Sequence, residues 1–315
     1  MRNKLRIGLL VAGVKGCNFL QRIQDCFAPE FVCSYEVRGL LGDSLGRIKR
    51  LCNAKKYRFL QKAKFLSRDA GRADLIFVAG WQYMIDQVDD RFVVFHDSLL
   101  PRFRGFSPTV SALVQGETEI GVSAVRPTKM ADCGPIYLRV PVPIRYPMKI
   151  RDAYELLGEA YCRAAREIIR RKNGGRLTCA PQRDHMATYS LWRDGIDYEI
   201  DWNWDSNRIS RFVDATGWPY AGATTSDRYG KPIVIQEASV VEDCRIENRT
   251  PGKIFRIEDE GPVVVCGAGL LRIDSATSRD GRPFEFSGLR NRLGNPNRYS
   301  TTFLRRPICP SGRDC

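Results

Sequence analysis

Apolar residues in the first hundred positions fall into short unbroken runs, and the stretches between them carry a mixed or amphipathic pattern. Leu5 to Val11 reads as a strand, Phe19 to Phe27 as a helix, Phe31 to Leu41 as a second strand, Leu75 to Ala79 as a third and Phe92 to Phe95 as a fourth. Runs without alternation, such as Leu75-Ile76-Phe77-Val78-Ala79, suit strands covered on both faces, which predicts a mostly parallel, Rossmann-like α/β sheet. Arg151 to Arg171 repeats apolar residues at helical spacing, with Asp152 and Glu155 placed as a capping box. Asn173-Gly174-Gly175 ends that helix, and the stretch after it, through Pro181 and Gln182 to Thr188, reads as a linker.

Beyond the linker the texture changes to short β-rich segments: Pro232 to Ile235, Ser239 to Val241, Lys253 to Ile257, Val263 to Cys266 and Leu270 to Ile273. Short strands at this spacing predict a small OB-like β-barrel. The expected organisation is therefore a catalytic domain over 1–188, a barrel domain over 189–285 and a polar, basic tail over 286–315.

Length and composition agree with this picture. The 315 residues exceed the usual size of one core, and 43% hydrophobic with 27% charged residues suits a globular chain. No run approaches the ~20 apolar residues of a membrane span. The basic tip and apolar run at Met1 to Gly13 could imitate a signal peptide, but the run is short and leads into Gly13-Val14-Lys15-Gly16, read as a strand-exit turn. Eleven cysteines without a Cys-x-x-Cys pair lack the spacing of a zinc site or disulfide framework, so no metal and a reducing, cytoplasmic setting are expected. The net charge of +14 indicates an anionic partner without naming it. The acid-free basic run of Arg47, Lys49, Arg50, Lys55, Lys56, Arg58, Lys62, Lys64 and Arg68 is either a solvated helix face or a phosphate site.

The candidate chemistry lies in two segments. The chain has two histidines, and His96 opens the Pro- and Gly-punctuated loop His96-Asp97-Ser98-Leu99-Leu100-Pro101-Arg102-Phe103-Arg104-Gly105 straight after an apolar strand. Further on comes Met130-Ala131-Asp132-Cys133-Gly134-Pro135-Ile136. Taken singly, such a His is as well explained by a structural hydrogen bond, and such an Asp by a turn. Asp97, next along from His96, should face away from it, toward substrate or solvent. Trp81 and Tyr83, after the third strand, either line a ligand site or form the aromatic edge of the core.

Together the two segments resemble the active-site halves of the N10-formyltetrahydrofolate-dependent formyltransferases, whose pattern reads Asn-x-His-x-Ser-Leu-Leu-Pro-x-Tyr-Arg-Gly followed by an Asp-x-Gly loop. Trp218 to Ala223, Pro251 to Ile254 and Cys266 to Ile273 also resemble the C-terminal barrel of methionyl-tRNA formyltransferase-like proteins. The resemblance implies His96 and Asp132 as catalytic residues, with N10-formyltetrahydrofolate as co-substrate held by Trp81, Gln82, Tyr83, Met84, Ile85, Lys129 and Met130. It also implies Ser98, Arg102, Arg104 and Gly105 on the substrate side.

The region from Gly42 lacks the Pro/Gly-Arg-Gly insertion of the tRNA-formylating members. The resemblance is therefore nearest to enzymes that formylate a nucleotide-linked amino sugar, as in O-antigen assembly, with tRNA the less favoured acceptor, no membrane partner and a homodimer left open. One position departs from the pattern: Val94 stands where the family has asparagine, and valine donates no hydrogen bond. Either Ser98, a backbone N–H near Gly134 or a His96 imidazolium compensates, or the chain is a slow, altered or non-catalytic relative.

Overall fold

The structure, a computed structural model, describes residues 5–62, 71, 73–85, 89–286 and 288–294. Lys64, Arg68 and the expected tail from 295 onward lie outside the described residues. The chain divides into two units, one of Met1–Asp197 with Asp214–Ala221 and one of Tyr198–Val213 with the residues from Gly222 onward. The division thus falls after Asp197, where the sequence pattern placed it after 188, and a short later segment returns to the first unit.

The first unit is built on a seven-stranded sheet of β1 (Ile7–Val11), β2 (Phe31–Ser34), β3 (Phe59–Gln61), β4 (Leu75–Ala79), β5 (Phe92–His96), β7 (Glu119–Val125) and β8 (Ile136–Pro143), in the order β3-β2-β1-β4-β5-β7-β8. The first five are parallel, and β7 and β8 add antiparallel. β1 and β4 are buried at every position, as their unbroken apolar runs require. Helices α1 (Gly13–Ile23), α2 (Ser44–Lys55), α3 (Pro108–Gln115) and α4 (Ile150–Asn173) accompany the sheet. The two-residue strands β6 (Arg104–Gly105) and β9 (Tyr189–Ser190) pair with each other.

Several elements differ from the sequence expectation for identifiable reasons. β2 stops at Ser34, since Gly39 and Gly42 take positive φ and turn the chain. α1 begins at Gly13 and not at Phe19: its cap is Ala12 with no side-chain bond, so no capping residue marks the start, and Gly13-Val14-Lys15-Gly16 is the first helical turn. α4 starts at Ile150, ahead of Asp152, so no capping box forms. Glu155 instead accepts from Asn18 Nδ2 at 2.9 Å and pairs with Arg22, both on α1.

The presumed linker is also structured. Ala180 bridges Ile136, and Thr188 Oγ1 accepts from Phe103 N at 2.9 Å. Arg47, Lys49, Arg50 and Lys55 stand on the exposed face of α2, with Asp43 capping its N-terminus through Gly46 N at 2.7 Å.

The second unit is a five-stranded antiparallel sheet of β10 (Ala223–Ser226), β11 (Pro232–Val241), β12 (Ile254–Glu258), β13 (Gly261–Val265) and β14 (Leu270–Ser278), in the order β10-β11-β14-β13-β12. Among the described residues no ladder joins β10 to β12, so the expected barrel is seen as an open sheet. Pro232 to Ile235 and Ser239 to Val241, read as two strands, are one strand whose register shifts on either side of Glu237. Helix α5 (Ser206–Thr216) precedes the sheet, and buried Trp202 donates its indole N–H to Thr225 Oγ1 at 3.0 Å.

Candidate active site

The carboxyl ends of β1, β4 and β5 in the first unit open into a cavity of about 310 Å³, at the lower end of small-molecule sites. Val94 and His96, two apart on β5, both line it, as does Asp132 on the loop between β7 and β8. His96 Nδ1 lies 3.3 Å from Asp132 Oδ1, and His96 Nε2 lies 2.8 Å from Phe103 O. Each ring nitrogen faces an oxygen acceptor, so a neutral imidazole satisfies one contact and an imidazolium satisfies both.

The loops carrying this pair are locally unusual. Phe103, Ser107 and Asp132 take φ of 57°, 47° and 56°, a region L-residues rarely occupy. Asp132 is held there from both ends. Its Oδ2 accepts from Gly105 N at 2.9 Å, and its carbonyl accepts from Gln182 Nε2 at 2.7 Å. Gln182 also reaches Gly134 O at 2.7 Å and accepts from Arg104 Nη2 at 2.8 Å.

Of the residues expected on the substrate side, Gly105 lines the cavity and the other three do not. Ser98 is buried and donates to Arg102 O at 2.6 Å. Arg104 is buried against Gln182 and Asp184, and Arg102 turns outward to Glu117 at 2.9 Å. These polar groups are spent on building the loop, which is why they look like binding residues in sequence and sit as scaffold in space.

Of the expected cofactor residues, Trp81, Gln82, Tyr83, Met84, Ile85 and Met130 line the cavity, and Lys129, between the lining residues Thr128 and Met130, is exposed and does not. The 81–85 loop is anchored at Tyr35. Its hydroxyl accepts from Gln82 N at 2.8 Å, and its ring meets Trp81 and Tyr83 edge-on, with centroids 4.8 and 4.9 Å apart. Burial pushes the Tyr35 hydroxyl up to about 12 against the opposing pull of the Gln82 N–H, so it stays neutral. Lys62 lies over the Tyr83 ring. Trp81 and Ile85, like Val94, pack against the buried cluster of Val78, so these residues are cavity wall and core edge at once.

The opposite end of the cavity is polar, and sequence reading missed it. Asp97 is buried and lines the cavity, so of the two settings expected for it the substrate side is the one seen; it faces away from His96 to pair with Lys15 on α1 and accept from the Tyr161 hydroxyl on α4. Tyr154 and Tyr220 share a hydrogen bond of 2.6 Å beside Lys15, whose ammonium lies 5.5 Å from the Tyr154 ring. Desolvation opposes the Lys15 charge, yet Asp97, with Tyr220 and Asp132 adding, holds the ammonium above its ordinary value. Burial next to Asp97 raises Tyr161 well above the ordinary phenol, so it serves as a donor. The available signal was Lys15 itself, a lone charge between apolar residues at a strand exit.

Gly80 brings the two ends together. It takes φ 65°, and a Cβ there would stand 2.3 Å from Ala12 O, so only glycine lets the end of β4 pass beneath the first turn of α1. No group of three or more His, Cys, Asp or Glu suited to a metal ion occurs among the described residues.

Comparison with known proteins places this geometry in a family. Residues 48–160 match the family model Formyl transferase, and residues 195–293 match Formyl transferase, C-terminal domain. A methionyl-tRNA formyltransferase of Nitrosomonas europaea is 29% identical over 217 residues, 67% of this chain and 66% of the relative. One of Sorangium cellulosum is 32% identical over 195 residues, 62% of each. This chain therefore spans less than two thirds of the length of those curated relatives. Among solved structures, an N-formyltransferase from Helicobacter canadensis, crystallised with folinic acid and dTDP-3-aminofucose, superposes with a TM-score of 0.59. It is 14% identical, covering 89% of this chain and all of that one, a likeness of fold. With one family model matched in each unit, and the paired His96 and Asp132 loops at the head of a mostly parallel sheet, the chain belongs to the formyl transferase family.

Proposed function

We infer that this chain is an N-formyltransferase that moves the formyl group of N10-formyltetrahydrofolate to the amino group of a nucleotide-linked amino sugar. The observation that carries the reading is one cavity with His96 and Asp132 between an aromatic loop and a polar wall. In the transfer, the acceptor nitrogen bonds to the formyl carbon, the bond from that carbon to N10 breaks, and one amine proton passes to N10. His96 is the proton-handling group, and Asp132 orients its ring. Trp81, Tyr83 and the 81–85 backbone suit a flat heterocycle of the donor. Lys129 and the exposed basic face of α2 do not line this cavity and take no role in the proton transfer.

The choice of acceptor rests on the wall opposite the aromatic loop. Lys15, Asp97, Tyr154 and Tyr220 offer charges and hydroxyls to a hydroxylated ring and little to a methionyl side chain. Asp43 to Lys56 fold as a compact capped helix with no added loop, which also supports an acceptor other than tRNA. The curated relatives named methionyl-tRNA formyltransferase favour the second reading, and Val94 favours a third, a folate- or nucleotide-binding relative without catalysis.

One assay separates the three: purified protein with N10-formyltetrahydrofolate and a panel of aminated nucleotide sugars beside Met-tRNA, with mass detection of the added formyl group. Formylation of a sugar supports the reading. Formylation of Met-tRNA alone, or binding without transfer, overturns it.

A further inference from the structure

Formyl transfer passes through a tetrahedral centre whose oxygen carries negative charge, and a site that catalyses it needs a donor or cation aimed at that oxygen. Val94 cannot serve. It is an apolar side chain in register with Val78 and Val125, packed between the buried clusters around Val78 and around Leu100 and Ile136.

The other groups on the wall are largely committed. Both nitrogens of His96 face Phe103 O and Asp132, the Thr128 hydroxyl donates to Met130 O at 2.8 Å, and Arg126 pairs with Asp90. Ser98, whose hydroxyl goes to Arg102 O, is outside the cavity altogether.

Lys15 is different. It lines the same cavity as Val94, His96 and Asp132, and its side chain is a quarter exposed into a largely desolvated setting. An ammonium has three N–H donors, and the hydrogen bond to Asp97 uses one. Asp97 is itself fixed by Tyr161, and the backbone carrying Lys15 is fixed by the close passage of Gly80 under Ala12. A cation held in this way keeps its position as charge develops, which is the condition for transition-state stabilisation in a low-dielectric site.

We propose that Lys15 is the oxyanion-stabilising catalytic residue of this chain, taking over from the first turn of α1 the task that an amide at position 94 would perform, with Asp97 and Tyr161 as its positioning residues. The assignment rests on the formyl-transfer reading above. It adds a donor to the transition state without moving a proton, so its loss appears in the rate and not in donor binding.

The test is a cycle of Lys15→Met and Val94→Asn. It is read as formyl transfer from N10-formyltetrahydrofolate to hydroxylamine, a small nucleophile that needs no acceptor subsite, and as donor affinity by fluorescence titration. Lys15→Met is expected to lower kcat ~10²-fold or more at unchanged donor affinity, and Val94→Asn added to it to restore ~10-fold or more. Val94→Asn alone should change the rate much less, because Lys15 already fills the role. Since Lys15→Met strands a buried carboxylate, Lys15→Met/Asp97→Asn is run beside it and should show the same loss if the fold is intact by thermal melt.

Wild-type kcat in either Lys15 variant, or a rate loss that Val94→Asn leaves untouched, overturns the assignment with formyl transfer still standing. A wild-type protein that formylates neither hydroxylamine nor any aminated acceptor overturns the functional reading, and this assignment with it.

Discussion

Gly105 N donates to Asp132 Oδ2 at 2.9 Å, so a backbone group of the histidine loop fixes the carboxylate that lies 3.3 Å from His96 Nδ1. This contact joins the two halves of the sequence motif, beside the direct approach of His96 Nδ1 to Asp132 Oδ1. The second oxygen of Asp132 is thereby left for the imidazole, and the pair is set before any ligand arrives. His96→Asn and Asp132→Ala are each expected to reduce formyl transfer by at least ~10²-fold with the melting temperature little changed. Steady-state kinetics beside thermal melts checks both, and wild-type turnover in either variant removes that residue from the mechanism.

Gly105 has little room to vary. It takes φ 98°, and a Cβ would stand 2.5 Å from Ser190 O across the β6–β9 pair. Gly105→Ala is expected to cost ~1–3 kcal/mol of stability and to lower kcat, because the N–H that holds Asp132 must shift. Denaturant unfolding measures the first effect and single-turnover kinetics the second. A variant of unchanged stability and rate would mean that the loop relaxes without strain.

Tyr35 supports the aromatic loop through a single hydrogen bond to Gln82 N. Tyr35→Phe keeps the ring contacts and removes the acceptor, so an effect on donor KM without a matching one on kcat is expected, of the order of a few-fold to ~10-fold, as loss of one hydrogen bond implies. A titration of folate fluorescence reports it directly.

Gln182 gives a fourth test, since it holds the Asp132 loop at two carbonyls without lining the cavity. Gln182→Ala is expected to lower kcat ~10-fold with donor and acceptor KM nearly unchanged. Gln182→Glu should recover little, because a carboxylate cannot donate to those carbonyls.

A pH effect is expected on α4. Hydrogen bonds from Arg170 and Arg171 pull the Glu167 carboxyl from 4.5 down to about 2. The folded value lies below the unfolded one, so this group favours the folded state above pH 4.5 and loses that contribution as pH falls through about 2. Urea midpoints of wild type and Glu167→Gln should differ slightly at neutral pH and converge in acid. The pair is at the surface, so the gap should also close with salt.

The parts of the fold that were legible in sequence are those where burial on both faces leaves an unbroken apolar run. Leu75–Ala79 was read to the residue, and Phe92–His96 to within one. Elements specified by tertiary partners were not. Nothing local marks the start of α1 at Gly13, and Glu155 looked like a capping residue because its partner Asn18 is far away in sequence. Within the site, the His96 and Asp132 loops stood out because punctuation by Pro and Gly is local. Lys15 and Gln182 did not, because their importance arises from what β5 and the Asp132 loop place beside them.

The close passage of Gly80 beneath Ala12 also limits how this cavity can be redesigned. Because the strand end and the helix start share one contact surface, inserting or deleting residues in either would displace both the aromatic and the polar wall. New acceptor preferences are therefore reached by exchanging side chains at Val14, Tyr154 and Tyr220 on an unaltered backbone, with Lys15 and the donor-side Gln82 and Tyr83 left in place, and a combinatorial library at those three positions is the economical way to retarget the chain.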